Sequence, residues 1–404
     1  MLSAAITAEA RETTGASASD LDIQFAGALA FAEDGTLFVG DNHSGAIYAF
    51  EIPASKSDGQ VASSSIRNID YKIAEILGVH TGAVEINDMA VHPLSNEIYI
   101  SVTRIEGFAS LPVIVTISTD HRIGVLDMAA LPLHRQALSG FPTSDVKFQG
   151  RGAHGVTLPR DAAKRARGIR SLAIMDMAFY QGELFVAGLA HDTFQSSLRR
   201  IAYPFDGTQG VATVEMYHIA HDNYESRAPI RAMSIQQIDG KPQLVGAYTC
   251  SPVVLVPLDT IEDGAKISAN TIIDMGNGQP IDMVAFEMRG ETMLFVTSNS
   301  RSPQVIPVKG LHAAAAVTHE DFERGPKLDL HPLMPFGPAG KAVMFEGVPL
   351  HIALIDGTFL ASITRDAYTG DLNLDINPVM FPNRIHNLLA EMDFPKIEDR
   401  GAEG

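Results

Sequence analysis

The chain of 404 residues carries a formal net charge of −18, with 46% apolar and 19% charged residues. Those are globular proportions, so wholesale disorder is excluded, and the acidity excludes nucleic acid and anionic membrane surfaces, which need a basic footprint. No run approaches the roughly 18 apolar residues of a membrane span, so a soluble chain is expected.

The N-terminal "MLSAAITAEARETTG" ends an apolar stretch in Ala8-Glu9-Ala10, a small-x-small pattern like an export-signal cleavage site. It sets the expectation of a periplasmic or secreted protein. The absent basic n-region keeps a cytoplasmic location as the alternative. Cys250 is the single cysteine, so no intrachain disulfide forms.

From residue 21 onward one phrase recurs in chain order: "LAFAEDGTLFVGDNHSGAIYAFEI", "MAVHPLSNEIYISVTRIEGFASLPVIVTIS", "MAFYQGELFVAGLAHDTFQSSLRRIAYPF", "MSIQQIDGKPQLVGAYTCSPVVLVPL", "MVAFEMRGETMLFVTSNSRSPQVIPV" and "IALIDGTFLASITRDAYTGDLNLDI". Each alternates apolar residues at period two and turns on Gly, Asn or Asp, as antiparallel strands do. Between copies lie further strand-like runs: "RNIDYKIAEIL", "RIGVLDMA", "GVATVEMYHI" and "KISANTIIDMG". About four strands per repeat, at a spacing of roughly 50 to 65 residues, make a blade-like unit. The expected fold is all-β: a β-propeller of four-stranded blades, six recognisable and seven the alternative. Its last blade closes with strands from both ends of the chain. Residues 1–20 precede a single domain over 21–404, and a monomer is expected because a closed ring hides its sheet edges.

Two stretches break the rhythm. An insertion at about 134–170 contains "GRGAHG", a formal GxGxxG with no helix start behind it, so no dinucleotide site is read there. It is also basic, through Arg151, Arg160, Lys164, Arg165, Arg167 and Arg170, which suits either a solvated loop or a docking surface for a protein partner. "DAAKRARGIRSL" within it and "PNRIHNLLAEM" near the C-terminus are the best helix candidates. From His312, "HAAAAVTHEDFERGPKLDLHPLMPFGPAG" reads as a long connection.

"GTLFVGDNHSGAIYAFEI" and "NDMAVHPLSNEIYIS" resemble blades of the broad propeller superfamily that includes NHL-repeat, YVTN-repeat and gluconolactonase-like (regucalcin-type) proteins. The resemblance covers most of the chain at blade level and encodes strand geometry, which unrelated functions share. In gluconolactonase-like members, it implies, acids and amides at the channel mouth hold a cation that polarises an ester or lactone carbonyl. Those proteins begin the first blade with a Glu, whereas this chain has Gly27 and Ala28.

Two sets of residues are expected at one mouth of the ring. Asp88, Asp176 and Asp282 each precede the Met that opens a phrase, with Arg231 and Ala28 assigned to that slot in the fourth and first copies. His43, Arg104, His191, Cys250, Arg301 and Arg365 follow the second strand. With Asn87, the aspartates offer oxygens to a hard divalent ion such as calcium, which takes about six to eight. Their alternative is turn capping. His43, His191, His218, His221 and Cys250 form the alternative site, for copper or zinc. Arg104, Arg231, Arg301 and Arg365 suit an anionic small-molecule substrate or pair with the acids.

The leading expectation is a metal-assisted hydrolase or lactonase, with His191 or His221 as general base and Arg231 orienting the substrate. A non-catalytic partner-binding propeller and a His/Cys transition-metal protein are the alternatives. The chain has no GxSxG, HExxH, CxxC or P-loop motif, and without Trp it matches neither quinoprotein-type nor WD-repeat propellers.

Overall fold

The computed structural model describes residues 21–53, 61–107, 109–143, 168–276, 278–299, 301–324, 337, 340–343, 345 and 347–379. These form a six-bladed β-propeller of antiparallel blades. Strands Leu29–Phe31, Thr36–Asp41 and Ala46–Glu51 begin blade 1, and Leu133–Ala137 completes it. Blade 2 is Val84–Val91, Ile98–Glu106, Ala109–Ile117 and Ile123–Val125. Blade 3 runs through Asp176–Tyr180, Glu183–Ala190, Gln195–Ala202 and Gln209–His218, and blade 4 through Ile230–Ile238, Lys241–Tyr248, Pro252–Pro257 and Lys266–Asp274. Blade 5 is Pro280–Met288, Glu291–Ser298, Gln304–Pro307 and Lys341–Ala342. Blade 6 is Val348–Ile355, Phe359–Arg365 and Leu372–Pro378, with Ser64–Ile66 as its outer strand.

The first strand of every blade lines the centre, and neighbouring first strands define the ring order 1–3–4–5–6–2. Blade 2 therefore sits between blades 6 and 1. The chain leaves blade 1 unfinished, lays Ser64–Ile66 onto the last blade, builds blade 2, and only then returns to close blade 1. Blade 6 does close with strands distant in sequence, as expected. The outer strands of blades 3 and 4 also pair in parallel, Val214 opposite Ile267, which fuses these two blades at their rims.

Six apolar clusters fill the gaps between neighbouring blades. Phe38, Ile47, Leu184 and Val186, for example, lie between blades 1 and 3, and Phe286, Phe295, Ile352 and Leu360 between blades 5 and 6. Each sheet is thus covered on both faces. That is why second strands such as "TLFVGD" and "ELFVAGLA" read as near-continuous apolar runs rather than clean alternation.

The structure departs from the sequence reading in three places. "RNIDYKIAEIL" was read as strand-like, but Ile69–Leu77 is an α-helix burying Ile69, Ile73, Ala74 and Leu77 on one face. Gly78 ends it at φ 67, donating its N–H to Glu75 O at 3.1 Å, a conformation glycine adopts freely. Residues assigned to the start of the insertion, His134–Ala137, are instead the fourth strand of blade 1. Of the long connection after His312, residues His319–Arg324 are helical. "GRGAHG", most of the basic insertion and "PNRIHNLLAEM" lie outside the described residues; Arg170 is described, in a short 3₁₀ turn.

Candidate functional site at the channel mouth

Aligning the first strands by hydrogen-bond register puts Leu29, Met89, Met177, Met233, Met283 and Ile352 in equivalent places. The slot before them holds Ala28, Asp88, Asp176, Ala232, Asp282 and His351. Around the ring, the three aspartates occupy alternate blades. Arg231 was assigned to this slot, but it sits in the β-bulge one residue earlier, between Ile230 and Ala232. Asn87 occupies the corresponding bulge of blade 2.

Each aspartate makes the same pair of bonds. Asp88 accepts the N–H of Met89 at 2.8 Å and, across the blade boundary, that of Leu29 at 2.7 Å. Asp176 accepts Met177 N–H at 2.7 Å and Met233 N–H at 2.6 Å. Asp282 accepts Met283 N–H at 2.7 Å and Ile352 N–H at 2.8 Å. The three carboxylates thus staple blade 2 to 1, 3 to 4, and 5 to 6. The capping expected as an alternative is present, extended to the next blade.

The same side chains line a cavity of about 280 Å³ at the mouth of the channel, with Asn87, Arg231, His351, Asn42 and Phe25. Its roof is the 3₁₀ turn Ile169–Leu172 and the residues after it. Asn42 holds them by donating to Ile174 O at 2.9 Å and accepting Ile174 N–H at 2.8 Å. Asn87 donates its amide to Ala26 O and Thr103 Oγ1, both at 2.9 Å. His351 Nδ1 lies 3.5 Å from Asp88 Oδ1. Donor atoms of Asp88, Asp282 and His351 all fall within 4.8 Å of one another. Arg231 has no ion-pair partner among the described residues.

Three carboxyls around one channel resist shared ionisation. Burial, followed by the Asp88 charge, pushes Asp282 up to about 7, with His351 and the two N–H donors opposing. Burial and the charges of Asp88 and Asp282 hold Asp176 well above the usual carboxylate range. Asp282 is half-buried, open to the channel on one side and enclosed by protein elsewhere, and that enclosure is the first cause of its raised carboxyl.

The remaining sequence-assigned residues lie elsewhere. His191 is not at the channel: it holds a turn at φ 58 and packs on Gly140. His221 is also remote from the cavity, on Glu225. His43 stacks on Phe25, 5.1 Å between centroids, in a neighbouring groove. Of the alternative soft set, His218, His221 and Cys250 do meet, around Glu225, whereas His43 and His191 do not join them. Arg104 pairs with Glu106, and Arg365 donates to Gly370 O at 2.6 Å. Of the four arginines, only Arg231 lines the cavity.

His351 and Glu225 were not singled out from the sequence. The sixth phrase begins at Ile352, so carrying the slot one residue upstream finds His351. Glu225 lies inside "HIAHDNYESR" itself.

No family model matches the chain, and no curated protein matches it. Among solved structures, the arabinanase Arb43A of Bacillus subtilis is 11% identical with a TM-score of 0.35, over 73% of this chain and 94% of that one. The hydrazine synthase of Kuenenia stuttgartiensis is 12% identical with a TM-score of 0.30, over 92% and 99%. The plexin A4 extracellular region is 9% identical with a TM-score of 0.40, over 88% of this chain and 39% of that one. Likenesses at this level carry no chemistry across; the chain is a six-bladed propeller on the strength of its own ring.

Proposed function

We propose that the channel mouth is the working site of a small-molecule hydrolase, in which a divalent cation and a proton-holding carboxyl act on an ester or lactone carbonyl. The observation that carries this reading is the convergence of Asp88, Asp282 and His351, donor atoms within 4.8 Å, in a cavity also lined by Asp176, Asn87 and Arg231. The donors fit a cation: each carboxylate oxygen accepts one N–H and retains a second lone pair. The imidazole moves the preference from calcium, which takes oxygen, toward zinc or manganese. Asp88, Asp282 and His351 would hold the ion, which when bound supplies Lewis-acid polarisation of a carbonyl. Burial and the charges of Asp88 and Asp282 raise the Asp176 carboxyl, which favours its protonated form and makes it the group placed to give a proton to a leaving oxygen. Arg231 orients the acidic end of a substrate.

The test is elemental analysis of protein purified without chelator or affinity metal, followed by a lactone and ester panel. Expected are a divalent ion that Asp282→Asn loses, and turnover that Asp176→Asn lowers by about 10²–10⁴-fold. Absence of both ion and turnover refutes it. A second reading, a non-catalytic ring, is favoured by the stapling of two N–H groups by every aspartate. Under it, the same variants change stability alone.

A further inference from the structure

We infer that a second metal site, for zinc, clamps the rims of blades 3 and 4, with His218, His221 and Glu225 as ligands and Cys250 as the fourth. Three of these come from one hairpin. Gln209–His218 ends in a 3₁₀ turn, Ile219–His221, which Asp222 reverses at φ 46, and Asn223–Glu225 returns with Glu225 opposite Met216. The spacing H-x2-H-x3-E thus brings both rings to one carboxylate. The ring centroids are 4.4 Å apart, and the three donor atoms lie within 4.8 Å of one another.

His218 Nδ1 is 3.2 Å from Glu225 Oε1, and His221 Nδ1 is in contact with that same oxygen. Cys250, from the turn after Lys241–Tyr248 in blade 4, places Sγ 3.7 Å from Glu225 Oε2. Zinc bonds of about 2.0–2.3 Å in a tetrahedron give ligand separations of roughly 3.3–3.7 Å. The His218–Glu225 distance lies close to this range, while Cys250 Sγ faces the other oxygen of the same carboxylate, Oε2, and lies outside the three-donor cluster, so it joins as the fourth ligand by turning toward the ion.

A further observation points to a ligating role for His218. Its other nitrogen, Nε2, faces Ser251 Oγ at 3.1 Å, and Ser251 donates to Asp274 Oδ1 at 2.6 Å. Asp274 is fully buried; its Oδ2 accepts no hydrogen bond among the described residues and lies 3.6 Å from His218 Nε2. Metal-bound imidazoles are held this way, with the far N–H on a carboxylate or its relay, so that the near nitrogen presents its lone pair. Asp222 is turned away, to Tyr217 and His319, each at 2.7 Å. Two imidazoles, a carboxylate and a thiolate suit zinc and exclude calcium. His221 is the solvent-facing member, 61% exposed, so the site can load from solution.

The experiment is titration of chelator-stripped full-length protein with Zn²⁺ by calorimetry, and with Co²⁺ by absorption. Wild type and Asp282→Asn are expected to bind one Zn²⁺ here alike, which separates this site from the channel. His221→Ala, on an exposed side chain, is expected to lose binding by more than 100-fold, and Ser251→Ala to weaken it by about 10–100-fold. Cys250→Ser removes the thiolate-to-cobalt band. Zinc binding unchanged in His221→Ala, or lost with Asp282→Asn alone, overturns the proposal.

Discussion

Asp282→Asn should reverse its effect on stability between pH 4 and pH 8.5 in chelator. Burial and Asp88 raise the Asp282 carboxyl from 3.8 to about 7 in the folded protein. Below pH 4, both folded and unfolded chains hold the proton, so there is no cost. Between about 4 and 7 the unfolded chain releases it while the folded chain keeps it, and stability falls as pH rises. Above 7 the full cost stands, roughly 4 kcal/mol at about 1.4 kcal/mol per unit, trimmed by water in the channel. Asparagine removes that cost at every pH. It also accepts only one of the two N–H groups of Met283 and Ile352 and leaves the other facing an amide N–H, a loss of about 1–3 kcal/mol. The wild type bears only about 0.6 kcal/mol of the cost at pH 4, so the variant is less stable there by about 0.5–2.5 kcal/mol, and it is equal to wild type or more stable at pH 8.5. Urea unfolding followed by circular dichroism measures this in a chain without Trp. Equal destabilisation at both pH values refutes the reasoning. A divalent ion at the channel should restore the wild-type advantage at pH 8.5.

Arg199 is fully buried, with no carboxylate beside it among the described residues; its guanidinium donates to the carbonyls of Ser139, Gly140, Ala173 and Leu189 and to Ser197 Oγ. Arg199→Met strands those acceptors and should cost about 3–5 kcal/mol in urea unfolding. It should also speed protease cleavage between residues 140 and 173, whose flanks Arg199 joins. Gly188→Ala should cost about 2–4 kcal/mol by the same measurement, since a Cβ there would lie 2.1 Å from Ala173 O, against backbone. An unchanged midpoint in either variant would contradict the packing described.

The blades were legible because each second strand is covered on both faces and each hairpin turns on Gly, Asn or Asp. "IDYKIAEIL" was not: over nine residues, apolar positions Ile69, Ile73 and Leu77 fit helical spacing, while I-D-Y-K-I alternates. The aspartates were readable through the Met that follows each. Arg231 was misplaced because a β-bulge adds a residue that spacing alone does not reveal. Ring order was invisible for a different reason. It rests on pairings such as Ile66 with Leu374, and nothing local in "SSSIR" specifies its partner. His191 and His221 follow the right kind of strand or turn, but direction out of a turn depends on φ, and His191 at 58 points to Gly140 rather than inward.

The route of the chain around the ring has a consequence for synthesis. A ribosome delivers blade 1 without its outer strand, then a strand with no blade to join, then blade 2, whose neighbour on one side is the last to be made. Asn68 waits for Asn373, 305 positions later, to accept its N–H. Blades 3, 4 and 5 emerge in spatial order and can stack as they appear. The N-terminal third must stay unsatisfied at one edge until the C-terminal blade arrives. Its open edge during that interval is where a holding chaperone would act, and a circular permutant starting at blade 3 would shift that exposure to other strands without altering the finished ring.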